Sequence, residues 1–197
     1  MNKPLQCGRF QLALDRPLIM GIVNLTDDSF SGDGLRGGAG NAIAQGLRMV
    51  EEGADILDLG AESSRPGAEP VSQQQEMDRL LPVIEGLRGC GVPLSVDTVK
   101  PGIMAAALAA GIDMINDIFA LQAPGAVEAV KASAAAVCLM HMQGEPRTMQ
   151  SDPRYGDVVA EVAAFLGARA AACTAAGNDK NRIVIDPGFG FGKTLAH

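Results

Sequence analysis

Ile56-Leu57-Asp58-Leu59, then Ser72-Gln73-Gln74-Gln75-Glu76-Met77-Asp78-Arg79-Leu80-Leu81-Pro82-Val83-Ile84-Glu85-Gly86-Leu87, then Leu94-Ser95-Val96: this succession decides the fold. The first and last runs are short, apolar and bounded by turn residues, as strands buried on both faces should be. Between them, Ser72-Gln73-Gln74-Gln75 reads as a capping box, in which the Ser72 hydroxyl and the Gln75 amide each satisfy an orphan backbone N–H. Met77, Leu80, Leu81, Ile84 and Leu87 follow at helical intervals and are expected on one inward face. Gly89 and Gly91 stop the helix, and Pro93 keeps it from resuming. A β-α-β unit is the result.

The same alternation extends in both directions. Further apolar runs lie at Leu18 to Val23, Met114-Ile115, Val137 to Met140 and Ile183 to Ile185. Ala-rich helices are expected over 42–52, 101–110 and 124–132, and a longer one over 156–176. In that last helix Val158, Val159, Val162, Phe165 and Leu166 are expected to face inward. Arg9 to Leu14 alternates weakly and could form a small hairpin closing one end of a barrel. No repeat or linker divides residues 1–197, so a single parallel α/β domain is expected. Periodicity alone leaves two architectures open, a doubly wound sheet and a (β/α)₈ barrel.

Composition narrows the function. The chain has 197 residues and a net charge of −7, which argues against nucleic acid and anionic membrane surfaces as partners. No stretch reaches the roughly 20 apolar residues of a membrane span, and the N-terminus lacks a signal-peptide core. Cys7, Cys90, Cys138 and Cys173 are widely spaced, which fits reduced thiols in a cytoplasmic protein.

Each apolar run stops at polar residues: Asn24, Glu62-Ser63-Ser64-Arg65, Asp97-Thr98, Asn116-Asp117, His141 and Asp186. One such residue commonly caps a helix or makes a turn. Several at equivalent places suggest the C-terminal face of a parallel barrel, where active sites assemble. The long polar loop 24–34 holds one large apolar side chain, Phe30, as a lid over an aromatic ligand would. Arg65, beside Pro66-Gly67, could grip a phosphate with its planar fork or serve as an exposed ion-pair partner. Gly188-Phe189-Gly190-Phe191-Gly192-Lys193-Thr194 imitates a phosphate loop, but Pro187 stands where the first glycine is required. Cys138 and His141 have the spacing of half a zinc site without a second half, and His141 reads as a structural residue of the rim.

Together these segments resemble the dihydropteroate synthase family. The blocks are Ile19-Met20-Gly21-Ile22-Val23-Asn24-Leu25-Thr26 with Asp28-Ser29-Phe30-Ser31, and Leu57-Asp58-Leu59-Gly60-Ala61-Glu62-Ser63-Ser64-Arg65-Pro66-Gly67-Ala68. Ser95-Val96-Asp97-Thr98, Ile115-Asn116-Asp117-Ile118, Leu139-Met140-His141-Met142-Gln143-Gly144 and Ile185-Asp186-Pro187-Gly188-Phe189-Gly190-Phe191-Gly192-Lys193 follow in the family's order. The resemblance implies a (β/α)₈ TIM barrel that joins p-aminobenzoate to (7,8-dihydropterin-6-yl)methyl diphosphate, with release of diphosphate. It assigns Ser64, Asp97, Asn116, Met140, Asp186 and Phe191 to the pterin and its diphosphate. It assigns Phe30, Ser64 and Pro66 to p-aminobenzoate, and Asn24 to Mg²⁺. Catalysis falls to Asp97, Asp186 and Arg65, the p-aminobenzoate site is where sulfonamides compete, and the complete protein is expected to be a homodimer.

The sequence departs from the family at Asp27, where Pro is usual, and at Ser64, where Thr is usual. It also stops at His197, after the sixth strand of eight, so about six of eight βα units are present. At roughly 30 residues per unit, some 60–80 residues with a pterin-binding Lys and an Arg-x-His are expected beyond it, and the chain alone is expected to be inactive. Two other readings are a corrinoid-dependent methyltransferase's pterin-binding domain and a non-catalytic pterin-binding paralogue.

Overall fold

The computed structural model describes residues 3–25, 34–62 and 71–197. Two short antiparallel strands, β1 (Leu5–Cys7) and β2 (Phe10–Leu12), precede β3 (Met20–Asn24). Then come α1 (Gly34–Glu51), β4 (Ile56–Gly60), α2 (Gln73–Leu87), β5 (Leu94–Asp97) and α3 (Pro101–Ala109). β6 (Met114–Asp117), α4 (Ala126–Lys131), β7 (Ala136–Met140), α5 (Val158–Ala175), a 3₁₀ turn (Lys180–Arg182) and β8 (Ile183–Asp186) complete the order.

Strands β3 to β8 form one parallel sheet in sequence order. A doubly wound sheet would reverse its strand order at a switch point, and none occurs here. The sheet is also curved. Asn116 Nδ2 on β6 donates to Asp58 Oδ2 on β4 at 3.0 Å, although strands two apart in a flat sheet lie more than about 9 Å from each other. A concave face brings such side chains together, and with the unreversed strand order the architecture is that of a (β/α)₈ barrel wall.

The β1–β2 hairpin lies across the N-terminal end of the strands. Leu5 and Cys7 pack with Met114, Ala136 and Cys138 in a small apolar cluster. Buried Asp113 anchors the hairpin by accepting from Arg9 N, Nε and Nη2, and from Leu94 N at the start of β5. The main core lies between the sheet and the helices, around Leu57, Leu59, Leu80, Ile84, Leu94, Met104 and Ile115.

Helix α2 begins at the expected capping box, but its inward face differs from the expected one. Val83 is buried and Leu81 is exposed, because the helix also buries Glu76 and Arg79 against polar partners and is rotated accordingly. In α5, Val162, Leu166 and Cys173 are buried, whereas Val159 is 75% exposed. That helix, with 18 residues, is long and apolar enough to cross a membrane by length and composition. Here Arg169 ties it to the barrel by donating to the carbonyls of Ala120 and Leu121. Burial on both faces holds for β4 and β7. It fails for Ile22 on β3 and Ile185 on β8, the first and last strands in the order, where both side chains are more than half exposed.

Candidate active site at the strand ends

Parallel pairing places Asn24, Gly60, Asp97, Asn116, Cys138 and Val184 in one register row. Asp186 lies two residues beyond Val184 on the same face, opposite Met140. Asn24, Asp97, Asn116 and Asp186 are thereby gathered at one mouth. Gly60 contributes a gap to the row: a Cβ there would lie 3.9 Å from Asp97 Oδ2 and 4.0 Å from Asn24 Oδ1. The amide oxygen and the carboxylate flank it.

One level deeper is Asp58, which the sequence reading took only as part of an apolar strand. It is buried, with Oδ2 held by Asn116. Asp58 Oδ1 and Ser95 Oγ are buried and find no hydrogen-bond partner among the described residues. The Ser95 hydroxyl lies close enough to favour the Asp58 charge without reaching bonding geometry, and burial outweighs it, so the Asp58 pKa is raised. The two side chains are register partners on β4 and β5 and face the barrel interior one level below Asp97.

The mouth is strongly acidic. Burial, then the charges of Asp58, Asp117, Glu76 and Glu62, push Asp97 up to about 8. Cys138 is pushed up to about 12 by burial and then by Asp186, Asp58, Asp97 and Asp117, which makes it inert as a nucleophile. Such a site favours developing positive charge and ligands rich in N–H donors.

The surrounding rim is rigidly tied. Lys100 Nζ donates to Glu62 Oε2 at 2.7 Å, Glu76 Oε2 at 2.7 Å and the Val71 carbonyl at 2.6 Å. Glu76 also accepts from Thr98 Oγ1 at 2.6 Å, next to Asp97. Beyond β6, Ala120 and Leu121 adopt φ of 52° and 56°, unusual for residues with a Cβ. Asp117 holds them in place by accepting from Phe119 N and Leu121 N, while Arg169 takes the carbonyls of both. On β8, Asp186 Oδ1 accepts from Gly188 N at 2.7 Å, which fixes the plane of the carboxylate.

Of the residues expected from sequence, Asn24, Asp97, Asn116, Met140, Asp186 and Phe191 are described; Phe30, Ser64, Arg65, Pro66 and Asp27 lie outside the described residues. Met140 is buried, its Cγ 3.2 Å from where a Cβ on Gly188 would stand. His141 is the rim residue it was expected to be, packed edge-on against Phe165 at 5.0 Å. Among the described residues no group of three or more His, Cys, Asp or Glu could hold a metal. The available hard donors are the Asn24 amide oxygen and the Asp97 carboxylate across Gly60. That set suits a divalent cation whose other ligands come from a substrate phosphate and water.

Comparison with known proteins agrees with this geometry. The family model described as "Pterin binding enzyme" matches residues 20–197. A dihydropteroate synthase of Neisseria meningitidis serogroup C is 54% identical over 195 residues, covering 98% of this chain and 69% of the relative. The structure of Burkholderia cenocepacia dihydropteroate synthase complexed with 7,8-dihydropteroate superposes with a TM-score of 0.87 at 52% identity, covering 98% of this chain and 65% of that one. That of the Xanthomonas albilineans enzyme with 4-aminobenzoic acid gives a TM-score of 0.89 at 52% identity, covering all of this chain and 70% of that one. The chain thus spans about two thirds of the length of the proteins it matches.

Proposed function

The chain belongs to the pterin-binding enzyme family, among its dihydropteroate synthases, and from that premise we propose that the protein it represents condenses (7,8-dihydropterin-6-yl)methyl diphosphate with p-aminobenzoate. In this reaction the C–O bond to diphosphate breaks. A C–N bond forms to the aminobenzoate nitrogen, which loses a proton to solvent. The observation that carries the reading is the acidic row at the strand ends, with buried Asp58 holding Asn116 beneath it.

In this account Asp186 accepts the paired N–H groups of the pterin's amino-pyrimidine edge, a two-bond pattern suited to a carboxylate. Gly188 N takes one lone pair of Oδ1, which leaves the other and those of Oδ2 to accept the two N–H groups. Asp97 and Asn116 read the opposite edge. Asp58, by holding Asn116, sets which way that amide faces. As the C–O bond lengthens, positive charge builds on the methylene and spreads into the pterin. Asp97 and its acidic neighbours stabilise that charge without attacking it, and the cation forming beside Asp97 favours its ionised form against the burial that otherwise raises its pKa to about 8. Met140 and Phe191 serve the ring faces. Ser64 serves the pterin diphosphate and, with Phe30 and Pro66, the p-aminobenzoate, while Arg65 is assigned to the leaving diphosphate.

The Asn24 amide oxygen would hold Mg²⁺. That ion would supply charge neutralisation to diphosphate. A cytoplasmic protein, in keeping with its four free thiols, that works as a homodimer completes the reading.

Calorimetric titration with 7,8-dihydropteroate tests the proposal. Binding by the parent protein, and its loss by at least about tenfold in Asp186→Ala, is the expected result, since a charge-assisted pair is worth ~1.5–3 kcal/mol. Equal binding by the variant would overturn the assignment of Asp186.

A further inference from the structure

Lys193 closes the glycine-rich run after β8 that imitates a phosphate loop, and its ammonium is turned away from any open cradle. The residue is 9% exposed. Nζ lies 3.0 Å from His141 Nδ1, 3.0 Å from the Phe191 carbonyl, 3.1 Å from the Gly188 carbonyl and 3.3 Å from the His141 carbonyl. An ammonium has three hydrogens, so one is shared between two of these acceptors. Every acceptor belongs either to the end of β7 or to the loop after β8. A buried cation bonded to neutral acceptors alone is costly to keep, and here its bonds join two neighbouring strand ends.

The joint is tight. A Cβ on Gly188, whose φ is +68°, would stand 2.0 Å from the His141 carbonyl oxygen, and one on Gly192 would stand 2.7 Å from that of Gln143. Tyr155 Oη adds a bond to the Gly192 carbonyl at 2.8 Å, and Phe191 N bonds back to the Gly188 carbonyl at 3.0 Å. Gly188 N also holds Asp186 Oδ1. Whatever holds Gly188 therefore holds the Asp186 carboxylate, and whatever holds the Phe191 carbonyl limits where its ring can go.

We propose that Lys193, with His141, is a positioning residue: its ammonium pins Gly188 and Phe191 to the end of β7 and thereby aims Asp186 and Phe191 at the pterin. The inference rests on the pterin reading above. It requires His141 to present its Nδ1 lone pair, so the imidazole is neutral with its proton on Nε2. Burial and the neighbouring Lys193 both lower the His141 pKa, and burial lowers that of Lys193, in keeping with this pairing. The other charged groups that act on the pair are Asp186 from β8 and Glu161 from α5.

The test compares the intact parent protein with Lys193→Met, by calorimetry with 7,8-dihydropteroate and by ¹⁵N NMR of the histidine rings. The parent comes first: if it does not bind dihydropteroate, the pterin reading itself fails, whatever Lys193 does. If it binds, Lys193→Met is expected to bind about tenfold more weakly, and the His141 pKa is expected to rise as the neighbouring cation is removed. Parental affinity in a folded Lys193→Met overturns the proposal. Should that variant not fold, His141→Leu, which leaves the ammonium its carbonyls, is read in the same titration. It is expected to weaken binding, and parental affinity there overturns the proposal equally. In the parent spectrum, a neutral His141 with unprotonated Nδ1 is the expected signature, and a proton on Nδ1 contradicts the latch.

Discussion

Replacing Lys100 with methionine should destabilise the protein far more than the loss of an ordinary surface lysine. Lys100 joins Glu62, Glu76 and the Val71 carbonyl. Its side chain is 24% exposed, that of Glu62 28%, and that of Glu76 not at all. The half of the network facing Glu62 is thus solvent-screened and is worth about 0–1 kcal/mol. The half facing Glu76 is not. Without Lys100, Glu76 keeps only the Thr98 hydroxyl among the side-chain donors of the described residues, and an uncompensated buried charge costs about 3–5 kcal/mol. Burial opposes the Lys100 charge while the two carboxylates favour it and prevail, leaving its pKa raised. We therefore expect Lys100→Met to lose about 3 kcal/mol in urea denaturation of the intact protein. Adding Glu76→Gln removes the orphaned charge and should recover about 2 kcal/mol of that loss, since only ordinary hydrogen bonds remain missing. A loss below about 1 kcal/mol for Lys100→Met, or a double variant less stable than the single one, would refute the reasoning.

Asp97→Asn should change the pH dependence of stability. The folded pKa of about 8 lies above the unfolded value of about 3.9, so the parent loses stability as pH rises from about 4 to about 8. Asp97→Asn should match the parent near pH 4 and melt higher above pH 8, while binding dihydropteroate poorly; parallel melting curves would contradict it. Asn116→Leu strips Asp58 Oδ2 of its donor and should cost about 1–3 kcal/mol in denaturation as well as pterin affinity. Gly188→Ala forces a Cβ onto the His141 carbonyl and should weaken pterin binding more than Gly190→Ala, whose Cβ meets nothing. Asn24→Ala should raise the Mg²⁺ concentration needed for turnover and leave dihydropteroate binding unchanged; an unaltered Mg²⁺ titration would remove Asn24 from the metal site.

The alternation of short apolar runs with helical spacing made the parallel α/β class legible, because strand cores and the Ser72 cap are local signals. Curvature was not local. It depends on strand order and on Asn116 meeting Asp58 across β5, which periodicity cannot report. The polar residues after each strand were readable because every parallel strand ends at the same face. Asp58 was missed because it sits inside the run Ile56 to Leu59, where alternation is hidden by burial on both sides. Glu76 and Arg79 were missed for a related reason: charged residues at helical positions read as solvent-facing, and only tertiary structure shows Glu76 accepting from Thr98 and Lys100 and Arg79 donating to the Ala61 carbonyl. Lys193 was legible as a motif residue, but its partners come from the neighbouring strand end.

The central claim is that this acidic barrel mouth binds a pterin diphosphate and transfers its pterinylmethyl group to an aromatic amine. The most direct measurement is diphosphate release from (7,8-dihydropterin-6-yl)methyl diphosphate by the intact protein, with and without p-aminobenzoate, alongside quantification of dihydropteroate. The account predicts release that depends on p-aminobenzoate and matches dihydropteroate mole for mole. Diphosphate released equally without p-aminobenzoate, or no release in the presence of both substrates and Mg²⁺, would contradict it.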